Sequence, residues 1–188
     1  MGIFGGSFDP PHVGHISVAR EVLDALNLDE LVWVPVFRSP HKLEAPRSSP
    51  LLRLQMLREA TKADPRFRVD DCEIARGGLS FTVDTLRAMK ARGVGESGEI
   101  VLVMGADQYE SFDRWYDPQS IRELATIAVL DREGITGVAE LGVLRVPVQR
   151  LDVSSTEVRA RVACGDPLQG WVSNEVALII EREGLYLS

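Results

Sequence analysis

Short apolar runs of strand length alternate along this chain with segments whose apolar residues recur at helical spacing. The clearest run covers residues 100–104, five consecutive apolar residues that are typical of a buried strand. Strands that alternate with helices pair in parallel through right-handed crossovers. The pattern therefore predicts an α/β fold, a doubly wound, Rossmann-like parallel sheet with helices on both faces, in a single domain over residues 1–188.

The individual elements follow from apolar periodicity and from the positions of glycine and proline. Strands are predicted at residues 1–4, 31–36, 67–74, 100–104, 125–130 and 144–148. Helices are predicted from residue 13, over 50–62 behind the N-cap Ser49, over 82–92 with Thr82 as N-cap, and after the capping box of Ser154 and Glu157. Four residues of the second helix are expected to face inward, namely Leu51, Leu54, Met56 and Leu57.

The composition favours a soluble protein that acts on a small anion. Of its 188 residues 45% are hydrophobic and 26% charged, and the net charge of -7 weighs against nonspecific binding to nucleic acid. Basic residues nevertheless outnumber acidic ones between residues 36 and 62. The longest apolar stretches fall far short of a membrane span and no targeting peptide precedes the first strand, so we expect a cytoplasmic protein without a membrane partner.

The two cysteines, Cys72 and Cys164, are isolated and lack the spacing of a metal site. We expect two buried, reduced thiols and no metal held by dedicated protein ligands.

The segment GGSFDPPHVGH at residues 5–15 joins the first strand to the first helix and concentrates turn residues and two histidines. Gly5 and Gly6 let backbone amides approach a ligand, and a pair of prolines stiffens the segment. His12 and His15 share one face of the first helical turn, where unpaired N–H groups and the helix dipole favour an anion. The segment predicts a polyphosphate site.

This segment resembles the HxGH signature of the nucleotidylyltransferase superfamily. Within that superfamily it is similar to the bacterial nicotinate-nucleotide adenylyltransferases, since phosphopantetheine adenylyltransferases carry Thr or Ser in place of His12. The resemblance implies that ATP contacts six residues here, namely Gly5, Gly6, Ser7, Phe8, His12 and His15. It also implies that Asp9 contacts the acceptor nucleotide.

Four later segments match further motifs of the same family in the same order. Residues 39–42 resemble its Pro-Pro-His-Lys loop, 80–86 its Ser-Tyr-Thr-x-Asp-Thr motif, 105–115 its Gly-x-Asp and Phe-x-x-Trp pattern, and 152–159 its Ile-Ser-Ser-Thr-x-Ile-Arg motif. The resemblance implies ATP contacts for Gly105, Asp107, Ser154, Ser155, Thr156 and Arg159. It implies acceptor contacts for Lys42, Thr82, Asp107, Trp115 and Arg132, the last in a segment where Glu133 replaces the family's proline.

Some of these residues also have a purely structural interpretation. A capping box explains Ser154 and Glu157 completely, and Trp115 taken alone is equally well explained as a core residue. A capping box does not explain why two hydroxyls and Arg159 follow Ser154, an arrangement that can bind a triphosphate.

The resemblance implies an enzyme that converts ATP and nicotinate mononucleotide into deamido-NAD and pyrophosphate in NAD biosynthesis. Its catalytic residues would be His12, His15, Lys42 and Arg159, with Mg²⁺ held mainly by the phosphates. Three alternatives remain: nicotinamide mononucleotide as the acceptor, phosphopantetheine as the acceptor, or a noncatalytic nucleotide-binding module. The partners are expected to be small molecules without nucleic acid, and a homo-oligomer is left open.

Overall fold

Six parallel strands form one sheet in the computed structural model, which describes residues 1–40, 46–94, 99–131, 142–149 and 151–187. The strands are Gly2–Gly6 (β1), Leu31–Pro35 (β2), Phe67–Val69 (β3), Val101–Gly105 (β4), Thr126–Asp131 (β5) and Val143–Pro147 (β6). They lie in the order β3-β2-β1-β4-β5-β6, and every neighbouring pair is parallel. The predicted doubly wound parallel sheet is confirmed.

The helices within the described residues connect and cover these strands. They are Val13–Ala25 (α1), Pro50–Thr61 (α2), Cys72–Arg76 (α3), Thr82–Ala91 (α4), Ala106–Glu110 (α5), Pro118–Leu124 (α6), Ser155–Cys164 (α7) and Asn174–Arg182 (α8). Successive residues of β1 point to opposite faces of the sheet, as the pleat requires. Ile3 therefore packs in one core with Leu86 of α4, and Phe4 packs in a second core with Val22 of α1.

The strand order reverses beside β1, which pairs with β2 on one side and with β4 on the other. Open α/β sheets bind ligands at such a switch point, beyond the carboxyl ends of the strands. The carboxyl end of β1 is Gly6, so the segment at residues 7–12 leaves the sheet at this crevice.

The predicted strand at residues 67–74 is wrong in its second half, because β3 ends at Val69 and residues 72–76 form α3. The Asp70 carboxylate accepts a hydrogen bond from the Cys72 backbone N–H at 2.9 Å. This local bond satisfies an amide at the start of α3 and turns the chain out of the sheet.

Helix α2 begins as predicted, since the Ser49 hydroxyl accepts from the Leu52 N–H at 3.3 Å and Pro50 is the first helical residue. The inward position predicted for Leu51 is wrong, because this residue is 70% exposed. Arg53 is instead completely buried, together with Leu54 and other residues of α2. An arginine can lie there because its guanidinium donates to backbone carbonyls, as described below.

Two smaller expectations also need correction. The N-cap of α4 is Phe81, and Thr82 is the first residue inside the helix. Both cysteines are free thiols, but Cys164 is exposed and Cys72 only half-buried. Burial raises the pKa of the Cys72 thiol to about 12, so it stays protonated. No helix in the described part of the chain is long and apolar enough to span a membrane.

Candidate active site

The segment between β1 and α1 is shaped by a buried aromatic side chain. Phe8 has a φ of +48°, and its ring packs against Trp33 and His15 at centroid distances of 5.4 and 5.1 Å. A Cβ added to Gly6 would lie only 2.8 Å from this ring, so glycine is required there. Since the Phe8 side chain belongs to the core, a contact with ATP would have to come from its backbone.

The two histidines of the motif lie against each other at the start of α1. Their rings stack with centroids 3.6 Å apart, and the His12 backbone N–H donates to His15 Nδ1 at 3.2 Å. A Cβ on Gly14 would come within 3.1 Å of His12 Nδ1, so this glycine leaves room for the stacked pair. His12 and His15 share one face, as their spacing predicts.

The N-terminus of α1 is less open than the sequence suggests. The Val13 N–H donates to the carbonyl of Trp171 at 2.9 Å, so the expectation of unpaired amides is wrong at this residue. Residue 171 lies between α7 and α8 and is distant in sequence, which is why no local pattern indicated the contact.

The N-terminus of α7 meets the segment after β1 through two side chains. Arg159 donates from Nη1 to the Asp9 carbonyl at 2.8 Å and from Nη2 to Thr156 Oγ1 at 3.1 Å. The Ser155 hydroxyl donates to the carbonyl of Pro10 at 2.9 Å. Ser154 caps α7 as predicted, since its hydroxyl accepts from the Glu157 N–H at 3.2 Å. The two motifs expected to bind phosphate are therefore in direct contact.

The Asp9 carboxylate is buried and is used inside the protein. It accepts backbone N–H groups of Arg47 at 2.7 Å and Ser48 at 3.2 Å, and a third bond from the Tyr186 hydroxyl at 2.7 Å. The resemblance implies that Asp9 contacts the acceptor directly. These bonds instead favour a role in which the Asp9 carboxylate holds its own loop in place.

A cavity of about 320 Å³ lies beside the carboxyl ends of β1 and β4. Six of the predicted site residues line it, namely Gly5, Gly6, Ser7, Thr82, Asp107 and Trp115. They come from the β1 loop, α4, α5 and the segment after the short 3-10 helix at residues 112–114. The cavity thus joins the predicted phosphate loop to the predicted acceptor residues.

Helix α4 points its N-terminal turn at this cavity without a side-chain cap. Its N-cap is Phe81, whose side chain has no polar atom and makes no capping hydrogen bond, while Thr82 lines the cavity. Had Thr82 been the cap, its hydroxyl would have used an amide of the first turn. The shift by one residue leaves this helix start suited to an anionic group.

The end of β4 brings an acidic side chain close to the backbone. A Cβ on Gly105 would lie 2.5 Å from Asp107 Oδ1, so a side chain at this position would displace the Asp107 carboxylate. The Gly105 N–H donates to Gln108 Oε1 at 3.1 Å, which closes the start of α5. Asp107 also lines the cavity.

Two side chains beside the candidate site were not predicted from the sequence. Glu73 of α3 is 5% exposed and lines the cavity, and its Oε1 accepts from Thr85 Oγ1 at 2.6 Å. Burial raises the pKa of this carboxyl above its ordinary value. Arg53 donates to the carbonyls of Ser7 at 2.8 Å and Phe37 at 3.2 Å, which joins the loops after β1 and β2. Neither residue lies in a recognisable motif.

Two predicted site residues, Lys42 and Arg132, and the third histidine, His41, lie outside the described residues. The preceding Ser39 and Pro40 line the cavity. Within the described ranges, no group of three or more His, Cys, Asp or Glu side chains could hold a metal ion.

Comparison with known sequences gives full-length relatives. A family model described as cytidylyltransferase-like matches residues 3–161. A probable nicotinate-nucleotide adenylyltransferase of Shouchella clausii is 36% identical over 186 residues, covering 99% of this chain and 96% of the relative. A protein of the same description from Thermus thermophilus is 38% identical over 187 residues, covering 99% and 98%.

Comparison with solved structures gives the same fold. The nicotinic acid mononucleotide adenylyltransferase of Plasmodium falciparum in complex with NaAD aligns with a TM-score of 0.78 at 17% identity, covering 98% of this chain and 96% of that one. The complex of that enzyme with APC aligns with a TM-score of 0.75 at 16% identity over the same shares. The family model over residues 3–161 and the relatives matched over 99% of the chain establish that it belongs to the cytidylyltransferase-like family and, within it, to the nicotinate-nucleotide adenylyltransferases.

Proposed function

We propose that this chain transfers the adenylyl group of ATP to nicotinate mononucleotide, giving deamido-NAD and pyrophosphate in NAD biosynthesis. Membership of the nicotinate-nucleotide adenylyltransferases supports this reaction. The observation that carries the acceptor assignment is the helix start without a side-chain cap at Thr82, in one cavity with Trp115 and the loop after β1.

The acceptor's pyridine would occupy the cavity between α4 and Trp115. First-turn amides of α4 can donate to the nicotinate carboxylate, and the helix dipole adds about 0.3–1 kcal/mol for a negative group. Trp115 is half-buried in the cavity wall and offers an aromatic face for stacking on the pyridine ring. The phosphate end of the acceptor would then lie toward Ser7 and the loop after β1.

The α- to γ-phosphates of ATP would be bound where α1 and α7 meet. His12 and His15 lie at the start of α1, and Arg159 lies one turn into α7 with its guanidinium in hydrogen-bond contact with the loop. Lys42, in the segment after Pro40, supplies a further positive charge in this assignment. The remaining nucleotide contacts would come from Gly105 and the hydroxyl residues 154–156.

The chemistry requires positioning more than proton transfer. The 5′-phosphate of the acceptor is already an anion, so it attacks the α-phosphorus of ATP without a general base, and pyrophosphate leaves with the electron pair of the broken P–O bond. Catalysis then consists of aligning the two phosphates and neutralising the charge that develops on the oxygens. The imidazoles of His12 and His15 and the guanidinium of Arg159 are donors of the kind this requires.

The donor set fits a Mg²⁺ ion carried by the phosphates better than one held in a protein cage. Mg²⁺ prefers oxygen ligands and commonly uses one or two carboxylates together with substrate phosphates. Asp107 is a carboxylate that lines the cavity and would supply a protein ligand of this kind. When bound, the ion would offset phosphate charge.

The proposal is tested by incubating the purified protein with ATP, Mg²⁺ and one of three acceptors: nicotinate mononucleotide, nicotinamide mononucleotide or phosphopantetheine. Pyrophosphate release and the mass of the product are measured. We expect deamido-NAD as the main product, and a His15→Asn variant prepared in parallel controls for contaminating enzymes. Turnover of phosphopantetheine without turnover of nicotinate mononucleotide would contradict the proposal.

A further inference from the structure

Tyr186 follows α8 and reaches back to the loop after β1. Tyr186 is 7% exposed, and its hydroxyl donates to Asp9 Oδ1 at 2.7 Å. The hydroxyl oxygen of Tyr186 in turn accepts from Ser48 Oγ at 2.5 Å. Burial raises the pKa of this phenol above its ordinary value, so the hydroxyl keeps its proton and acts as the donor. No motif in the sequence includes Tyr186.

The Asp9 carboxylate is held by donors from two distant parts of the chain. Tyr186 approaches from the end of α8, while the backbone N–H groups of Arg47 and Ser48 approach from the segment before α2. A buried carboxylate oxygen that loses a donor is costly to leave unsatisfied, so removing one bond favours movement of Asp9.

The backbone of the same residue supports the candidate phosphate ligand of α7. The Asp9 carbonyl accepts from Arg159 Nη1 at 2.8 Å, and the next carbonyl, that of Pro10, accepts from Ser155 Oγ at 2.9 Å. A shift of Asp9 that includes its backbone therefore moves the carbonyl that accepts from the Arg159 guanidinium. A path of direct hydrogen bonds joins the Tyr186 hydroxyl to Arg159 through a single residue.

We infer that Tyr186 is a positioning residue for adenylyl transfer, which fixes the orientation of Arg159 through the side chain and carbonyl of Asp9. The inference rests on the proposed function, because it assigns Arg159 to the phosphates of ATP. It adds a residue from outside the family motifs to the set that determines the rate.

The test is Tyr186→Phe, which removes only the hydroxyl. We expect kcat to fall roughly 10-fold, because small displacements of a phosphate ligand are costly to the rate, while the KM for the acceptor stays within about twofold. Thr61→Val is the matched control, since it removes a buried hydroxyl that donates to the Leu57 carbonyl inside α2 and should leave kcat unchanged.

A double-mutant cycle separates positioning from loss of stability. If Tyr186 acts through Arg159, Tyr186→Phe has little further effect on kcat in an Arg159→Lys background, whereas a merely structural role gives the same factor in both backgrounds. Equal factors, or a wild-type kcat in folded Tyr186→Phe, would overturn the inference. Folding is checked by a cooperative thermal transition well above the assay temperature.

Ser48→Ala keeps the inference testable if Tyr186→Phe does not fold. It removes the donor that holds the phenol oxygen beside Asp9, so kcat should fall by less than in Tyr186→Phe, roughly threefold. A wild-type kcat would then overturn the inference. Absence of turnover in the wild type would instead contradict the proposed function. In that event ATP affinity, measured by calorimetry, decides the role of Tyr186: equal affinity in Tyr186→Phe counts against it and weaker affinity supports it.

Discussion

The backbone N–H of His12 donates to Nδ1 of His15 while the two imidazole rings stack 3.6 Å apart between centroids. Because Nδ1 is the acceptor in this bond, a neutral His15 carries its proton on Nε2. The bond also fixes the ring orientation before any ligand arrives. In this protein one nitrogen of His15 therefore has a structural role, and the other is the one assigned to the phosphates.

Two amide substitutions of His15 separate these roles. Asparagine can imitate Nδ1 and keep the bond from the His12 N–H, whereas glutamine can imitate Nε2 and lose that bond. We expect His15→Asn to be as inactive as His15→Ala, with kcat reduced roughly 10²-fold or more, and His15→Gln to keep more activity but less thermal stability. The measurements are steady-state pyrophosphate release and thermal unfolding. Wild-type turnover in folded His15→Asn would remove His15 from the mechanism.

Arg159 should not be replaceable by lysine. The guanidinium donates to the Asp9 carbonyl and to Thr156 Oγ1 while keeping further N–H groups in its planar fork, and a lysine offers a single compact charge. Compared with the wild type, we expect Arg159→Lys to have a higher KM for ATP and a kcat that is lower by roughly 10-fold or more. Arg161→Lys, in the same helix, is the matched control. Equal kinetics for arginine and lysine at position 159 would indicate simple charge attraction.

The acceptor preference tests the assignment of the α4 N-terminus. Nicotinate has a carboxylate where nicotinamide has an amide, whose NH₂ group would face the amide donors of the helix. We expect kcat/KM to be about 10-fold or more higher for nicotinate mononucleotide, because several charge-assisted hydrogen bonds add to the dipole. A preference for the nicotinamide form at saturating ATP would overturn the assignment at Thr82.

Trp115→Ala addresses the other wall of the same cavity. Loss of stacking should raise the KM of both acceptors without reversing their order, since the proposed stacking involves the pyridine ring and not its carboxylate. Trp171→Ala provides a comparison at a tryptophan that does not line this cavity. Unchanged KM and kcat/KM in Trp115→Ala would assign the side chain to the core that includes Phe112.

Acid should remove a stabilising contribution of Asp64. Hydrogen bonds from Arg66, and a further bond from Arg20, hold the pKa of this carboxyl at about 2, below its ordinary value of 3.8. A carboxyl whose pKa is lower in the folded state than in the unfolded chain stabilises the folded state, and it does so fully at any pH above the unfolded-chain pKa. This stabilisation is lost as the pH falls toward the folded-state pKa of about 2.

We therefore expect Asp64→Asn to lower the free energy of unfolding by on the order of 1 kcal/mol at pH 7, with the difference from wild type shrinking between about pH 4 and pH 2. Urea unfolding over that range is the measurement. Asp113→Asn, at an 87% exposed side chain paired with Arg122, should change little at any pH. A difference that stays constant down to pH 2 would contradict the role of Asp64.

The sequence patterns correctly predicted the features of the fold that depend on residues close together in the chain. The alternation of strands and helices predicted the parallel sheet, and the Ser49 and Ser154 hydroxyls predicted two helix starts correctly, because capping bonds span only three residues. Leu51 was expected inside because leucine is apolar, but α2 turns Arg53 inward instead. The burial of Arg53 depends on its hydrogen bond to the carbonyl of Ser7, which is 46 residues away. Such a distant partner produces no periodic pattern in the sequence.

The same distinction applies to the candidate site. Motif residues from separate segments, such as Thr82 and Trp115, line one cavity as a switch point between parallel strands would require. Their roles in binding remain predictions. Glu73 and Tyr186 could not be found from the sequence, because each acts through a partner brought near only by the completed fold.

Three of the contacts that hold the loop after β1 bridge 145, 150 and 177 residues of chain, from Ser155, Arg159 and Tyr186. A peptide of residues 1–25 would contain every glycine and histidine of the motif and still lack these bonds. Bringing such distant partners together carries a loop-closure cost in entropy, which the packing of the whole domain must offset. A nucleotide site at this motif would therefore depend on the rest of the fold, and the motif moved into another scaffold without α7 and the segment that carries residue 186 would lack these bonds.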